Sequence, residues 1–156
     1  MTARPRVQIE PHSATACIVT LRGEHDPSTI AELALVMNLA SAYRYVLVDL
    51  SECLFLDSSV VKTLLQAAEL AHERAGALEV VAVADSKNAV RRALEVMSID
   101  TLVRVHPTRA TGVASLDALA LPRAPSHSLR ATVEDCDEPA QGASRVLPEE
   151  PEAHKA

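Results

Sequence analysis

Residues 45–60 contain a buried strand and a helix start in close succession, and this junction limits the chain to folds that combine the two elements. Tyr45-Val46-Leu47-Val48-Asp49-Leu50 is a near-continuous apolar run, which is typical of a strand deep in a sheet. From about Ser58, apolar residues recur at helical spacing instead. A buried strand followed by an amphipathic helix indicates an α/β protein in which helices pack on a sheet.

The remaining periodicity completes this pattern over the first 121 residues. Residues 7–10 and 14–21 are β-rich and flank a Pro11-His12-Ser13 turn, so they predict a hairpin. Asp26 is a suitable N-cap for the first helix, and Gly76 is a suitable C-cap for the second. The other predicted elements are helices from residue 27 and over 58–76, 87–97 and 108–121, and strands over 78–84 and 103–105. The order ββαβαβαβα predicts a mixed sheet of about five strands with about four helices.

The last 35 residues differ in composition from the rest of the chain. They hold five of the nine prolines, no Ile, Phe, Tyr, Trp or Met, and clumped acidic residues. A segment of this kind cannot bury enough apolar surface to offset the entropy lost on ordering. We therefore predict one domain over residues 1–121 and a disordered, acidic, proline-rich tail over residues 122–156. The tail is either a solvating extension or a regulatory, partner-binding segment.

Charge and hydropathy exclude several classes of function. The chain has a net charge of −6, whereas a protein that binds a phosphate backbone needs an excess of lysine and arginine. Only 2% of the residues are aromatic, which argues against stacking on bases and predicts an aliphatic core. No apolar run reaches the roughly 18–20 residues of a membrane span, and no signal-peptide core follows the N-terminus. We expect a cytoplasmic protein that binds neither nucleic acid nor membranes and keeps its three cysteines reduced.

The sequence predicts no enzyme, metal site or cofactor. The four glycines stand apart, so they form no glycine-rich phosphate loop. The histidines and cysteines show no metal-ligand spacing. Asp49 and Ser51 follow a buried strand, but no hydrolase motif supplies them with a base.

The triplet Asp57-Ser58-Ser59 lies where the second helix is predicted to begin, and it has two interpretations. Asp57 or Ser58 can cap the free N–H groups of the first helical turn. Alternatively, a serine hydroxyl here is a phosphoacceptor, because a phosphate would lie at the positive end of the helix. Such a phosphate would add a charge of about −1.5 to −2 to a contact surface. The residues alone leave both interpretations open.

Four motifs, in order and at matching spacing, resemble those of the STAS domain family over about residues 7–121. This family includes sulfate-transporter tails and anti-sigma-factor antagonists. The matching segments are 21–26 (L-x-G-E-x-D), 46–51 (apolar residues, then D-L-S), 55–59 (F-[IL]-D-S-S), and 90–94 with 99–100 (the third-helix signature).

The resemblance implies an anti-sigma-factor antagonist that is not an enzyme. In such antagonists the serine directly after the aspartate is phosphorylated, which corresponds to Ser58, with Ser59 as the alternative. The unphosphorylated protein would bind an anti-sigma factor that is also a serine kinase, freeing a sigma factor for transcription of stress-response genes. Phosphorylation would release it, and a phosphatase would be a further partner. By the same analogy the partner-binding residues are Gly23, Glu24, Asp26, Asp57, Ser58, Ser59, Val60 and Lys62.

Two positions depart from the family pattern. The family continues Asp-Ser-Ser with Gly-Leu, whereas Val60 and Val61 follow here. We expect Val60 to place a β-branched side chain on the surface that a partner approaches, changing partner choice or abolishing phosphorylation. Ser98 replaces a glycine near the end of the third helix. These departures leave an alternative open, a non-phosphorylated STAS scaffolding subunit of a stress-sensing or lipid-transport assembly.

Overall fold

The computed structural model of the protein describes residues 6–122, and within them the predicted α/β fold is confirmed. The strands are β1 (Val7–Pro11), β2 (Ala16–His25), β3 (Tyr45–Leu56), β4 (Ala77–Val81) and β5 (Val105–His106). The helices are α1 (Ile30–Ala40), α2 (Ser58–Glu73), α3 (Ala89–Val96) and α4 (Arg109–Ala120). Apart from Pro122, the predicted tail lies outside the described residues, so its disorder and the boundary at residue 121 stay predictions.

The five strands form one mixed sheet in the order β1-β2-β3-β4-β5. β1 and β2 pair antiparallel, which confirms the predicted hairpin, and the other three pairings are parallel. Each parallel connection contains a helix, because a strand that re-enters the sheet in the same direction needs a crossover. In the part of the chain that the structure describes, no helix is long and apolar enough to cross a membrane.

The core has two layers, one on each face of the sheet. On one face, aliphatic residues of the strands pack against the inner sides of α1, α2 and α3, including Leu33, Val61 and Leu94. On the other face, α4 alone covers a smaller cluster built from Ala16, Ile18, Leu47, Val81 and Leu116. Both layers are aliphatic, as the low aromatic content predicts.

An ion pair fixes α4 to its face of the sheet. The guanidinium of Arg109, at the start of α4, donates to the buried carboxylate of Asp49 at 2.6 Å. This hydrogen bond raises the pKa of Arg109 above its usual value, so the cation persists at every physiological pH. Arg109 also lies 3.3 Å from Glu10 in β1. The structure therefore places Asp49 as an anchor for α4.

Two strands run further than the sequence predicts. β2 continues through Gly23 to His25, and β3 continues from Leu50 to Leu56, where a loop and a short turn were expected. Their parallel ladder persists because β3 accommodates two shifts of register opposite β2. Glycine and a polar Ser51-Glu52 pair are unfavourable in strands, which is why the local pattern indicated that both had ended.

The end of α2 corrects the predicted cap at Gly76. The left-handed residue is Ala75, with φ of 59°, and the amide of Ala75 donates to the carbonyl of His72 at 2.9 Å. The amide of Gly76 donates to the carbonyl of Ala71 at 2.8 Å, which completes a Schellman motif. A Cβ at Gly76 would lie only 2.1 Å from the carbonyl oxygen of Arg44. Gly76 is thus required for a close backbone approach, while Ala75 takes the conformation that glycine prefers.

We expect single substitutions at Ala75 and Gly76 to change the stability of the domain in opposite directions. Ala75→Gly should stabilise the domain by about 1 kcal/mol, because the left-handed conformation is strained for alanine. Gly76→Ala should destabilise it by about 1–3 kcal/mol, because its methyl group collides with backbone. Urea unfolding of both variants measures the two values. A loss of stability in Ala75→Gly, or none in Gly76→Ala, would contradict this account.

Candidate functional site

The start of α2 is built on the ends of β2 and β3. Asp57, the residue after β3, is the N-cap, and its carboxylate accepts from the amide of Ser59 at 2.8 Å. The amide of Asp57 donates to the carbonyl of His25 at 2.9 Å. His25 is fully buried, with its Nε2 atom 3.1 Å from the carbonyl of Arg22. The helix start is therefore tied to the end of β2 as well as to β3.

The structure distinguishes the two serines of the triplet. The hydroxyl of Ser59 donates to the Asp57 carboxylate at 2.5 Å, and the Ser59 side chain is half-buried. Ser58 is exposed, and within residues 6–122 no side chain hydrogen-bonds its hydroxyl. Capping therefore uses Asp57 with Ser59, while the Ser58 hydroxyl is left accessible.

The cap also sets the charge state of Asp57. The hydrogen bond from the Ser59 hydroxyl, followed by that from the Ser59 amide, lowers the pKa of Asp57 below its usual value. A carboxylate with a lowered pKa stabilises the folded state at neutral pH, and this contribution is lost as the pH falls through the folded value. At physiological pH, Ser58 thus has an ionised neighbour at its N-terminal side.

Val60 does not lie where the sequence predicted. Its side chain is 0% exposed and belongs to the core beneath α2, together with Val61 and Leu64. The expectation that Val60 presents a β-branched side chain to a partner is therefore wrong. The physical reason is helical geometry, since the third residue of the helix turns inward while Ser58 and Lys62 stay exposed.

Two large apolar side chains stand exposed just before the helix start. Leu54 is 69% exposed and Phe55 is 44% exposed, although they are consecutive residues of a strand. Strict alternation would bury one of them. The register shift in β3 breaks the alternation, since Gly23 pairs with Cys53 and Glu24 pairs with Phe55, which leaves Leu54 without a partner in β2.

A shallow groove lies between this segment and α3, and we call it the α2–α3 groove. It encloses about 370 Å³ and is lined by Phe55, Leu56, Ser58, Ala89, Arg92, Ala93, Val96 and Met97. Most of its lining is apolar, and Val96 at its rim is 84% exposed. Arg92 contributes an exposed cation, whereas its neighbour Arg91 is paired with Glu95 at 2.9 Å. The α2–α3 groove therefore has a mostly apolar lining that also includes the cation of Arg92 and the accessible hydroxyl of Ser58.

The predicted residues at the end of β2 lie beside this site. Glu24 and Asp26 are exposed, and the carboxylate of Asp26 caps a 3₁₀ turn through the amide of Ser28 at 2.9 Å. Gly23 has φ of 77°, and a Cβ there would meet no atom within 4 Å. Glycine is therefore favoured at this position by the left-handed backbone conformation, and not by lack of space for a side chain.

Of the predicted residues, Glu24, Asp26, Ser58 and Lys62 are exposed, Gly23, Asp57 and Ser59 are half-buried, and Val60 is buried. The exposed Leu54, Phe55, Arg92 and Val96 were not among them. The sequence placed Phe55 and Arg92 in family motifs, but it did not predict that they line one groove with Val96. A detectable signal existed in the pair Leu54-Phe55, because adjacent large apolar residues in a predicted turn have no core position to fill.

No metal or redox chemistry is indicated in the described range. Among residues 6–122, no three His, Cys, Asp or Glu side chains are grouped to hold a metal ion. Burial raises the pKa of both Cys17 and Cys53 to about 11, so these thiols stay protonated and unreactive at neutral pH.

This chain belongs to the STAS domain family. The family model described as "Mlab, STAS domain" matches residues 10–104, which cover the end of β1, strands β2 to β4, helices α1 to α3, and the Ser58 helix start. No curated protein sequence matches the chain.

Solved structures of anti-sigma factor antagonists share the fold. One from Mycobacterium paratuberculosis is 23% identical, with a TM-score of 0.60 over 71% of this chain and 92% of that chain. The antagonist SpoIIAA in its unphosphorylated form is 17% identical, with a TM-score of 0.61 over 74% and 99%. The Bacillus cell fate determinant SpoIIAA in its phosphorylated form is 16% identical, with a TM-score of 0.55 over 70% and 97%. At these identities the similarity establishes the fold.

We expect Ser59, and not Ser58, to control the ionisation of Asp57. Ser59→Ala removes the strongest hydrogen bond to the carboxylate, so the pKa of Asp57 should rise towards the ordinary value of about 3.9. Ser58→Ala is the matched control and should leave it unchanged. Carboxyl ¹³C chemical shifts recorded against pH measure both. Equal effects of the two variants would show that the cap is not arranged as described.

Proposed function

We propose that this STAS protein is an anti-sigma-factor antagonist that Ser58 phosphorylation switches off. The observation that carries the proposal is the separation of roles within the triplet, since Asp57 and Ser59 form the cap and Ser58 remains exposed. A kinase needs an accessible hydroxyl, and the exposed Ser58 offers one. Similarity to antagonist structures supports the proposal at the level of the fold.

The surface around Ser58 suits binding to another protein. It combines the α2–α3 groove with the exposed Leu54, and an apolar centre beside polar groups is typical of protein interfaces. Gly23, Glu24, Asp26, Asp57, Ser59 and Lys62 form the polar rim in this proposal. Arg92 would pair with a carboxylate of the partner, because it is the cation that lines the groove.

A phosphate on Ser58 would oppose this contact directly. It adds about −1.5 to −2 charges at the edge of the apolar groove, where a bound partner would exclude water. It would also compete with the partner's carboxylate for Arg92, since guanidinium binds phosphate and carboxylate in the same geometry. Every 1.4 kcal/mol of unfavourable binding free energy lowers the affinity tenfold. If the apolar contact and the Arg92 ion pair each lose about this much, the affinity falls about a hundredfold.

The proposed partner is a cytoplasmic anti-sigma factor with serine kinase activity, and a phosphatase would restore the unmodified protein. Binding would release a sigma factor and so raise transcription of its genes. The STAS family consists of binding and regulatory domains. In this proposal the chain likewise acts by binding, without catalysis of its own.

Phosphorylation by a candidate anti-sigma factor kinase and ATP should add one phosphate to the full chain. Ser58→Ala should abolish the gain in mass, and Ser59→Ala should retain it, because only the Ser58 hydroxyl is free to react. Intact-mass spectrometry measures both. A phosphate that persists in Ser58→Ala and disappears in Ser59→Ala would move the switch to Ser59 and overturn the assignment.

A second function is favoured by the matched family model, whose description names Mlab rather than an antagonist. In this case the chain is a scaffolding subunit of a lipid-transport or stress-sensing assembly and carries no phosphate switch. The same surface would then bind its partner constitutively. Burial of Val60 weakens one of the two arguments from the family pattern for this function, since that side chain does not reach the surface.

The substitution Ser58→Asp separates the two functions. For a switched antagonist it should weaken binding of the anti-sigma factor about tenfold or more, because a fixed negative charge enters the groove. For a constitutive subunit, affinity for its partner should not change. Isothermal titration calorimetry measures the dissociation constant. The matched control is Ser13→Asp, a substitution of an exposed serine in the turn between β1 and β2, at the other end of β2 from His25, which should have no effect in either case.

A further inference from the structure

The ring of His25 lies inside the protein, at the point where β2 ends. Its exposed fraction is 0%, and its neighbour Thr29 is 5% exposed. The Nε2 atom lies 3.1 Å from the carbonyl oxygen of Arg22, and the Nδ1 atom lies 3.2 Å from the hydroxyl of Thr29. A buried imidazole with a partner at each nitrogen is held in one orientation. Gain of a proton by His25 would therefore place a cation inside the protein.

The two partners suit the neutral form of the ring. A carbonyl oxygen only accepts, so the Nε2 atom of His25 carries the proton and donates to Arg22. The Nδ1 atom is then an acceptor, and the hydroxyl of Thr29 can donate to it. That hydroxyl also lies 2.9 Å from the carbonyl of Asp26, which in addition accepts from the Thr29 amide at 3.0 Å. Both ring nitrogens of neutral His25 thus have suitable partners.

Burial outweighs the charges that surround the ring. It lowers the pKa of His25 below its usual value, because a buried cation is poorly solvated. The hydrogen bond to Arg22 and the charges of Glu32 and Asp26 act in the opposite direction, whereas the charge of Arg6 acts in the same direction as burial. The folded protein therefore favours the neutral ring near neutral pH.

The backbone of His25 is linked to the start of α2. His25 forms the last pair of the β2–β3 ladder, opposite Leu56. Its carbonyl accepts from the amide of Asp57 at 2.9 Å. Asp57 is the N-cap of α2, with its carboxylate turned to the amide of Ser59, and Ser58 lies between them in the chain. If His25 leaves its buried position, the helix start loses both the strand pair and this hydrogen bond.

We infer that neutral His25 positions the start of α2 and that its protonation releases this start. An imidazolium is poorly solvated in the interior, so acid pH favours a local opening that exposes His25 to water. By linkage, a group whose pKa is lowered in the closed form stabilises that form fully above about pH 6.5, and this contribution is lost as the pH falls. The contacts of His25 involve no partner, so the release applies to a switched antagonist and to a constitutive subunit alike.

Nuclear magnetic resonance of the full chain, with no partner present, tests the inference. The ring of His25 should titrate below the ordinary pKa of about 6.5. The protection of the Asp57 amide against hydrogen exchange, corrected for the intrinsic effect of pH, should fall about tenfold between about pH 7 and about pH 5.5. The amide of Val48, in the buried middle of β3, is the internal control and should keep its protection.

Two substitutions identify the histidine that is responsible. His25→Gln keeps a side-chain donor but does not titrate, so the protection of its Asp57 amide should not depend on pH in this range. The matched control is His72→Gln, which alters an exposed histidine of α2 and should retain the wild-type response.

The wild-type titration is decisive even if His25→Gln fails to fold. A His25 ring that titrates at or above the ordinary value, or an Asp57 amide whose protection stays constant as the pH falls, would overturn the inference. A pH response that survives in His25→Gln, or one that disappears in His72→Gln, would overturn it as well.

Discussion

The parallel pairing of β2 with β3 is the interaction on which the rest of the site depends. The pairing of β3 with β4 ends at Asp49, but the pairing of β3 with β2 continues to Leu56. The start of α2 is therefore supported by β2 and β3 alone. Two register shifts let the ladder survive over this length. Without them β3 would end near Leu50, as its sequence suggests, and α2 would start without support from β2. The site therefore exists because an irregular ladder persists beyond the regular part of the sheet.

The sequence presented capping and modification as competing interpretations of one triplet, but in the structure the cap uses Asp57 and Ser59 and leaves Ser58 for the proposed modification. Asp57 and Ser59 satisfy the helix terminus, and Ser58 takes no part in that network. A helix start of this kind can hold its cap whether or not the exposed serine is modified.

The periodicity of the sequence predicted the order and number of elements because α1 to α4 and the inner strands are amphipathic or continuously apolar. It failed at Gly23 and at residues 51–56, where long-range pairing overrides the local preference against strands. It also misplaced Val60 on the surface. The family motif says only that glycine is usual at this position. The structure of α2 shows that the side chain of its third residue points into the core. The groove that Arg92 and Val96 share with Ser58 could not be predicted, because it forms between α3 and the start of α2, which are distant in sequence.

In the proposed function, the inward direction of Val60 has a consequence for how Ser58 would be recognised. Two contacts fix the first turn of α2. The side chain of Val60 is buried in the core and has few accessible rotamers, and the Asp57 carboxylate caps the helix. The backbone that carries the Ser58 hydroxyl is thus already fixed before any partner arrives. A partner or kinase then has little conformational entropy to remove on binding, and more of the contact free energy remains as affinity. In the proposed function, a side chain buried in the core thus helps to order the exposed residue two positions before it.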